Sequence, residues 1–411
     1  MCIADLYFSK LKYAIFSKDL LEDSVDDLER WQRTFDPSWI IIARISSSTI
    51  DDQILDRASG NEASNKSVSI VKGLRDAHRS NLEPVDPRAT IFLWQPPACE
   101  VISPVPFSRS RSSFSTKHGT PIILDMVPYR PNTDLVKTTK DVRDLARVLA
   151  QVDPVTCCLL ACQGVVKAID PSNKLTGFEF IFSVPAQYRS CRSLRDLLLH
   201  PSHLHTLTER FELAKSLTRS IIFLHNASIV HKNICPETVL VMQDTYTALG
   251  KPFLVGFEKS RFIEGRTYLF GDDLWEKNLY RHPRRQGPYP EEEYKMQHDL
   301  YSLGVCLLEI GMWSSFVTFD ESSSFATPGA SLDIVSQLAI KDLRKRAFEI
   351  KSILFDMAEK HLPGRMGNKY ANVAMSCLAC LDKGNAFGNE DEFLDEDGVE
   401  VGVRYIAKVS C

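Results

Sequence analysis

Apolar residues recur every three or four positions in two stretches near the N-terminus, a spacing typical of amphipathic helices. The two series consist of Tyr7, Leu11 and Ile15, followed by Leu21, Val25, Leu28 and Trp31. Pro37 ends the second series, because a residue that precedes proline is disfavoured in the helical conformation. Two helices cannot bury their apolar faces by themselves. We therefore expect residues 1–46 to form a helical segment that packs on another part of the protein.

The pattern changes twice further along the chain. Residues 47–88 are polar and rich in small residues, which predicts a connector. Short apolar runs then predict strands at 89–94, 121–129, 159–169 and 178–184, with one helix at 140–151. Beyond Pro185 helical spacing dominates, and helices are predicted at 193–199, 207–225, 299–312, 342–360 and 370–381. Strands followed by helices favour an α+β protein in which the sheet and the helices are segregated.

Composition excludes several classes of protein. The 411 residues carry a formal net charge of -4, and 44% of them are hydrophobic, which is the ordinary mix of a soluble globular chain. Such a chain has no overall positive field for nucleic acid. The longest apolar run, residues 39–43, is far shorter than the roughly 18 residues that a membrane span needs. We expect a cytoplasmic protein that neither binds nucleic acid nor spans a membrane.

The eleven cysteines are odd in number and scattered. Their two clusters, 157/158/162 and 377/380, each lack a partner pair at zinc-site spacing. Reduced thiols of an intracellular protein are the simplest interpretation. Cys377 and Cys380 fall on an apolar predicted helix, which favours a packed core pair over redox work. His200, His203 and His205 are predicted to lie in a solvated turn, with a metal site as the alternative. Residues 109–113 (RSRSS) are predicted to be a mobile surface loop, with a phosphorylation site or a partner contact as the alternative.

Four motifs follow one another in the second half of the chain. Residues 231–241 read HKNICPETVLV, which resembles the catalytic loop of the protein kinases, H-R-D-x-K-P-x-N followed by a short strand. Residues 253–258 (FLVGFE) stand where that family has D-F-G, and residues 280–283 resemble the end of its activation segment. Residues 298–305 resemble the start of its large buried helix. Four motifs in the family's order are far more specific than any one of them.

The resemblance implies a two-lobed protein-kinase-like fold. The small β-rich N-lobe would span residues 89–185, and the helical C-lobe would span residues 186–411. In the family, the loop histidine and the D-F-G phenylalanine stack in a buried spine, and the aspartate of the large helix binds backbone near that histidine. His231, Phe257 and Asp299 occupy these three positions, so we expect the structural frame of the family to be retained.

The same resemblance places uncharged residues where phosphoryl transfer needs charge. The catalytic aspartate is matched by Asn233, which follows Lys232 and is a very poor base. The loop lysine is matched by Cys235, and the metal-binding asparagine by Thr238. The aspartate of D-F-G is matched by Gly256, so that this motif ends in Glu258. Since phosphoryl transfer depends on opposite charge around the phosphate oxygens, these losses predict no catalytic residue, no metal and no cofactor.

The N-terminal half also lacks residues that phosphoryl transfer needs. No G-x-G-x-x-G precedes the first predicted strands, and Val127 aligns with the lysine that would pair with the phosphates. Lys167 or Lys137 could substitute for that lysine, although a solvated surface lysine is the simpler interpretation of each. The predicted helix at 140–151 offers no glutamate to pair with such a lysine.

The function that the resemblance implies is a pseudokinase that acts as a binding or signalling module for a protein partner. One alternative is an atypical active kinase that binds ATP and magnesium, recruits Glu258 or Glu237, and phosphorylates Ser or Thr. Another alternative is an adaptor or scaffold that works through the N-terminal helices. Residues 1–46 look like the C-terminal edge of a fungal HeLo (prion-inhibition and propagation) domain, whose bundle would be absent or truncated in this chain. That resemblance implies a setting in fungal self/non-self recognition and heterokaryon incompatibility.

Overall fold

A computed structural model describes most of the chain from residue 91 to residue 382. The described residues are 91–93, 98–99, 102–116, 119–129, 134–188, 190–201, 205–227, 229–244, 248–262, 273–288, 290–320 and 325–382. They all fall within one compact unit, Lys72–Gly402. The predicted helical segment 1–46 and the predicted connector 47–88 lie outside the described residues. So does a last helix, which the spacing of Val399, Val403, Ile406 and Ala407 predicts after the acidic run 389–397. Within the described part the architecture is α+β, as the sequence predicts.

A six-stranded sheet forms the first half of the described chain. Its strands are β1 (Phe92–Leu93), β2 (Ser103–Pro104), β3 (Arg111–Phe114), β4 (Pro121–Pro128), β5 (Ala161–Ile169) and β6 (Leu175–Ser183). They are arranged in the order β1-β5-β6-β4-β3-β2. The β1–β5 pair is parallel and the other pairs are antiparallel. Phe178, Phe180 and Phe182 are fully buried on β6, because alternate side chains of a strand share one face.

Helix α1 (Leu135–Ala150) lies between β4 and β5 in the chain and packs against β5. It begins five residues before the predicted start, because the Asp134 side chain accepts hydrogen bonds from the backbone N–H groups of Val136 and Lys137. Its predicted apolar face, which includes Val142, is buried. A short helix, α2 (Pro154–Cys157), follows it.

Helices dominate the chain after the sheet. Their bounds are α3 (Leu194–Leu199), α4 (Leu207–Asn226), α5 (Trp275–Asn278), α6 (Met296–Met312), α7 (Val335–Leu338), α8 (Leu343–Met366) and α9 (Asn368–Leu378). Short strands lie between them: β7 (Ser190–Ser193), β8 (Ile229–Val230), β9 (Val239–Gln243), β10 (Lys251–Leu254), β11 (Arg261–Phe262), β12 (Val317–Phe319) and β13 (Ala326–Pro328). Helix α6 is buried along almost its whole length. Gly304 lets α9 approach it closely, since a Cβ there would lie 3.0 Å from the Cβ of Cys377.

Two local predictions are wrong. Residues 109–113 are not a mobile surface loop, because Arg111–Phe114 is strand β3, paired with β4 on one side and β2 on the other. Ser110 and Ser113 are buried, since serine is small enough to fit beneath neighbouring strands. The histidine cluster is not one solvated turn either. His205 is buried against the edge of Trp313, whereas His200 pairs with Asp196.

The cysteine and membrane predictions can be compared with the described residues. Cys377 and Cys380 are both buried free thiols, and the Cys380 Sγ donates to the Gln297 carbonyl at 3.1 Å. Burial raises the pKa of Cys377 to about 12, which keeps this thiol protonated and unreactive. Within the described residues, every helix is too short or too polar to cross a bilayer.

Candidate functional site

The backbone of the loop that resembles the kinase catalytic loop is held by one buried carboxylate. Asp299, near the start of α6, accepts from His231 N at 2.7 Å and from Lys232 N at 2.8 Å. The His225 Nε2–H and the Tyr294 hydroxyl donate to the same carboxylate at 3.1 and 2.7 Å. Burial alone would raise the pKa of Asp299, but these donors hold it below its usual value. Lys232 takes a left-handed φ of 64°, so the loop turns where both amides reach Asp299.

His231 and Phe257 lie against each other in the core. Their ring centroids are 5.0 Å apart in an edge-to-face arrangement. The His231 Nε2–H donates to the Val255 carbonyl at 3.0 Å, and Nδ1 accepts from Asn233 N at 3.3 Å. Burial lowers the pKa of His231 to about 4, so the ring is neutral at pH 7. Phe257 also contacts Phe182, with centroids 6.1 Å apart, which connects the loop to β6 of the sheet.

The four positions that the resemblance marks as degenerate lie together, and all are uncharged. The Thr238 hydroxyl lies 2.8 Å from the Asn233 carbonyl oxygen and accepts from Cys235 N at 3.2 Å. The Asn233 side chain donates to the Gly256 carbonyl at 3.3 Å. Gly256 has a φ of +84°, and a Cβ there would lie 2.4 Å from Thr238 Cγ2. Position 256 therefore has no room for a carboxylate unless Thr238 moves.

An unexpected carboxylate reaches this segment from the sheet. Asp125 on β4 is fully buried, and its Oδ2 accepts from Gly256 N at 2.9 Å and from Phe257 N at 3.4 Å. Its Oδ1 accepts from the Ser110 hydroxyl at 3.2 Å. Burial raises the pKa of Asp125, and the nearby charge of Glu258 raises it further.

Asp125 also changes the sequence-based interpretation of strand β4. Val127, which was aligned with the kinase lysine, is buried two residues further along and so shares a strand face with Asp125. The side chain from this strand that bonds the Gly256-Phe257 backbone is nevertheless that of Asp125. A signal for it was present in the sequence, since Asp125 is the one charged residue in the apolar strand Pro121–Pro128.

The two carboxylates considered as substitutes for the lost catalytic groups are each engaged by an arginine. Glu258 pairs with Arg109. Glu237 pairs with Arg195 at 2.9 Å, and Arg195 also pairs with the fully buried Glu309 at 3.0 Å. These ion pairs use up the negative charge that a metal or a substrate hydroxyl would need.

The two lysines considered as substitutes for the phosphate-pairing lysine lie in different surroundings. Lys167 is exposed on β5, with its Nζ 5.7 Å from the centre of the Phe92 ring. Lys137 lies in the first turn of α1 near Asp141. Burial raises the pKa of Asp141, and the charge of Lys137 only partly opposes that rise. Among the residues that the structure describes, no group of three or more His, Cys, Asp or Glu side chains could hold a metal ion.

Comparisons with known proteins leave the family open. A scan against protein-family models found no match, and a search of curated proteins found no significant match. The resemblance to the protein kinases therefore depends on the motifs and on the contacts described above.

Proposed function

We propose that this chain is a pseudokinase: a protein-kinase-like fold of two lobes that works in the cytoplasm as a binding or signalling module without phosphoryl transfer. In this proposal the N-lobe contains the six-stranded sheet with α1, and the C-lobe contains the helices around α6. The protein partner is unidentified. The observation that carries the proposal is the replacement of the transfer chemistry by uncharged or acidic groups within a retained frame.

The retained frame is the first support. Asp299 binds two successive backbone amides of the loop, and His231 packs edge-on against Phe257. In the resemblance, these are the contacts that hold a catalytic loop and a D-F-G segment in place. Four donors on one buried carboxylate form a costly polar network that is stable only when it is fully satisfied. Because two of the four donors are backbone amides of the loop, the network is satisfied only when the loop has this conformation.

The charge at the site is the second support. A bound nucleotide brings several negative charges, which active kinases neutralise with a lysine and two magnesium ions. Here the backbone of the D-F-G-like segment is held by Asp125, and Glu258 is close enough to raise the pKa of that carboxyl. The Glu258 charge is paired with Arg109, and burial raises the pKa of Asp125, so neither carboxylate replaces the lysine and the magnesium ions that neutralise phosphate oxygens in an active kinase. The site therefore disfavours the ligand that an active kinase binds.

A phosphoryl-transfer assay tests the proposal. The full chain is purified and incubated with radiolabelled ATP, with magnesium or manganese, and with generic protein substrates. An active protein kinase serves as the positive control. We expect no incorporation above that of a heat-denatured sample. Incorporation that is lost in both Glu258→Gln and Glu237→Gln would support the atypical active kinase instead and would overturn the pseudokinase.

A further inference from the structure

The loop between β2 and β3, residues 105–110, is fixed at several points along its length. Within the loop, Val105 N donates to the Ser110 carbonyl at 3.1 Å and Ser108 N donates to the Val105 carbonyl at 3.0 Å. The loop contains no glycine, yet Phe107 has a left-handed φ of 57°. A bulky residue persists in that conformation only where surrounding contacts compensate for its cost.

Those contacts come from the helical part of the chain. The Phe107 ring stacks on Phe319 of β12 with centroids 5.6 Å apart, and it lies 6.0 Å from the His200 ring. The Ser193 hydroxyl donates to the Pro106 carbonyl at 2.6 Å. The tip of the loop is thus attached to the end of β7, to the end of α3 and to β12.

The other end of the loop contacts two acidic residues of the candidate site. Arg109 pairs with Glu258, and the buried Ser110 donates to Asp125. Asp125 in turn holds the amides of Gly256 and Phe257. One short loop therefore contacts both carboxylates beside the D-F-G-like segment. The tip of the same loop is attached to β12 and to the end of α3 through Phe107.

The hairpin that contacts Phe107 is held in place by a buried ion pair. Phe319 belongs to the hairpin of β12 and β13, and the residue that enters this hairpin, Phe316, donates its N–H to Glu309 at 2.7 Å. Glu309 is buried in its ion pair with Arg195. The surface that receives Phe107 is therefore anchored in the core.

We propose that the 105–110 loop is a closed strap that shields Asp125 and Glu258 from solvent until the Phe107 and Arg109 clamps release. The two clamps act at different places on one short loop, so loss of both leaves only the Ser193–Pro106 hydrogen bond, among the contacts named above, to hold the loop to the helical part, while β2 and β3 stay paired with the sheet. This proposal goes beyond the proposed function and does not depend on it, because it concerns access to the carboxylates and requires no kinase ancestry.

Hydrogen exchange followed by mass spectrometry tests the strap in the full chain. The variant Phe107→Ala/Arg109→Ala removes both clamps. The matched control is Arg111→Ala/Phe114→Ala, which removes another arginine–glutamate pair (with Glu179) and another partly exposed phenylalanine from the adjoining strand. We expect amide exchange at 105–110 and at 256–257 to become about tenfold faster in the strap variant than in the control.

Helix α6 is the internal reference: the exchange rates of its amides must stay at the wild-type level, which shows that the variant is still folded. Exchange at 105–110 that rises no more in the strap variant than in the control would overturn the proposal.

Limited trypsin digestion gives a second test that does not depend on the double variant. Phe107→Ala alone keeps Arg109 as a cleavage site, and Phe114→Ala is its control. We expect cleavage after Arg109 to become about tenfold faster in Phe107→Ala only. Equal cleavage rates in the two variants would show that the Phe107 clamp does not close the loop.

Discussion

The same substitution at two fully buried aspartates is expected to have very different effects. Asp299 accepts four hydrogen bonds, two from successive backbone amides and two from the His225 and Tyr294 side chains. Asp125 accepts three, and it also lies near the negative charge of Glu258. The pKa of Asp299 is lowered and that of Asp125 is raised, so the protein stabilises the charge of the first carboxylate and disfavours that of the second.

Asp299→Asn keeps the shape of the side chain but turns one acceptor oxygen into an NH2 donor. That NH2 group faces one backbone N–H, either of the buried His231 or of the partly buried Lys232, and leaves this amide without an acceptor. Each unsatisfied buried group costs about 1–3 kcal/mol, and the charge-assisted bonds to the remaining donors also weaken, so we expect a loss of about 3–5 kcal/mol.

Asp125→Asn is the matched control, because it is the same change at an equally buried site. The Asn oxygen can still accept from Gly256 N and Phe257 N, and its NH2 group can donate to the Ser110 hydroxyl. The substitution also removes a buried charge that the protein disfavours. We expect the free energy of unfolding to stay within about 1 kcal/mol of the wild type at pH 7.

Urea unfolding followed by tryptophan fluorescence measures both effects. With a slope of about 3 kcal/mol per M, the midpoint of Asp299→Asn should fall by about 1–1.7 M. Equal midpoints for the two variants would refute the assignment of Asp299 as the carboxylate that holds the loop.

Two further results are expected from the buried histidines and from Gly256. Burial lowers the pKa of His231 to about 4 and that of His282 to about 2, whereas a histidine in the unfolded chain has a pKa of about 6.5. The unfolded chain therefore takes up protons first, and the free energy of unfolding falls as the pH drops below about 6.5. Urea unfolding should report a loss of about 4 kcal/mol in the free energy of unfolding between pH 7 and pH 5, roughly half of which should disappear in His282→Asn. A midpoint that does not change with pH would contradict this. Gly256→Ala should cost about 2 kcal/mol, because its Cβ would lie 2.4 Å from Thr238 Cγ2 at a left-handed φ. Adding Thr238→Ser removes that methyl group and should recover part of the loss, whereas strictly additive effects would show that the contact is unimportant.

The regular elements could largely be predicted because their periodicity is local. Helices α3 and α4 match their predicted bounds to within one residue, and α6 begins three residues earlier than predicted. Strand β3 was missed, since its serines and arginine carry no apolar alternation and its pairing comes from neighbours distant in the sequence. The start of α1 depends on the Asp134 cap rather than on periodicity.

The candidate site likewise contains some contacts that the sequence predicted and others that it did not. The contacts of His231, Phe257 and Asp299 were expected from motif order alone, and the structure places these residues together. Asp125 and Arg109 were missed, because neither belongs to a motif and their role depends on how the sheet approaches residues 256–258. A lone charged residue in an apolar strand indicates a buried partner, but the sequence does not say which one.

Equilibrium binding of ATP to the full chain, measured by calorimetry with and without magnesium, tests the central claim most directly. Val127 and Gly256 supply neither the lysine nor the metal-binding carboxylate of an active kinase, which leads us to expect no saturable binding up to about 1 mM nucleotide. A magnesium-dependent dissociation constant below about 100 μM would contradict that expectation, because it would require a phosphate-binding arrangement that these residues do not provide.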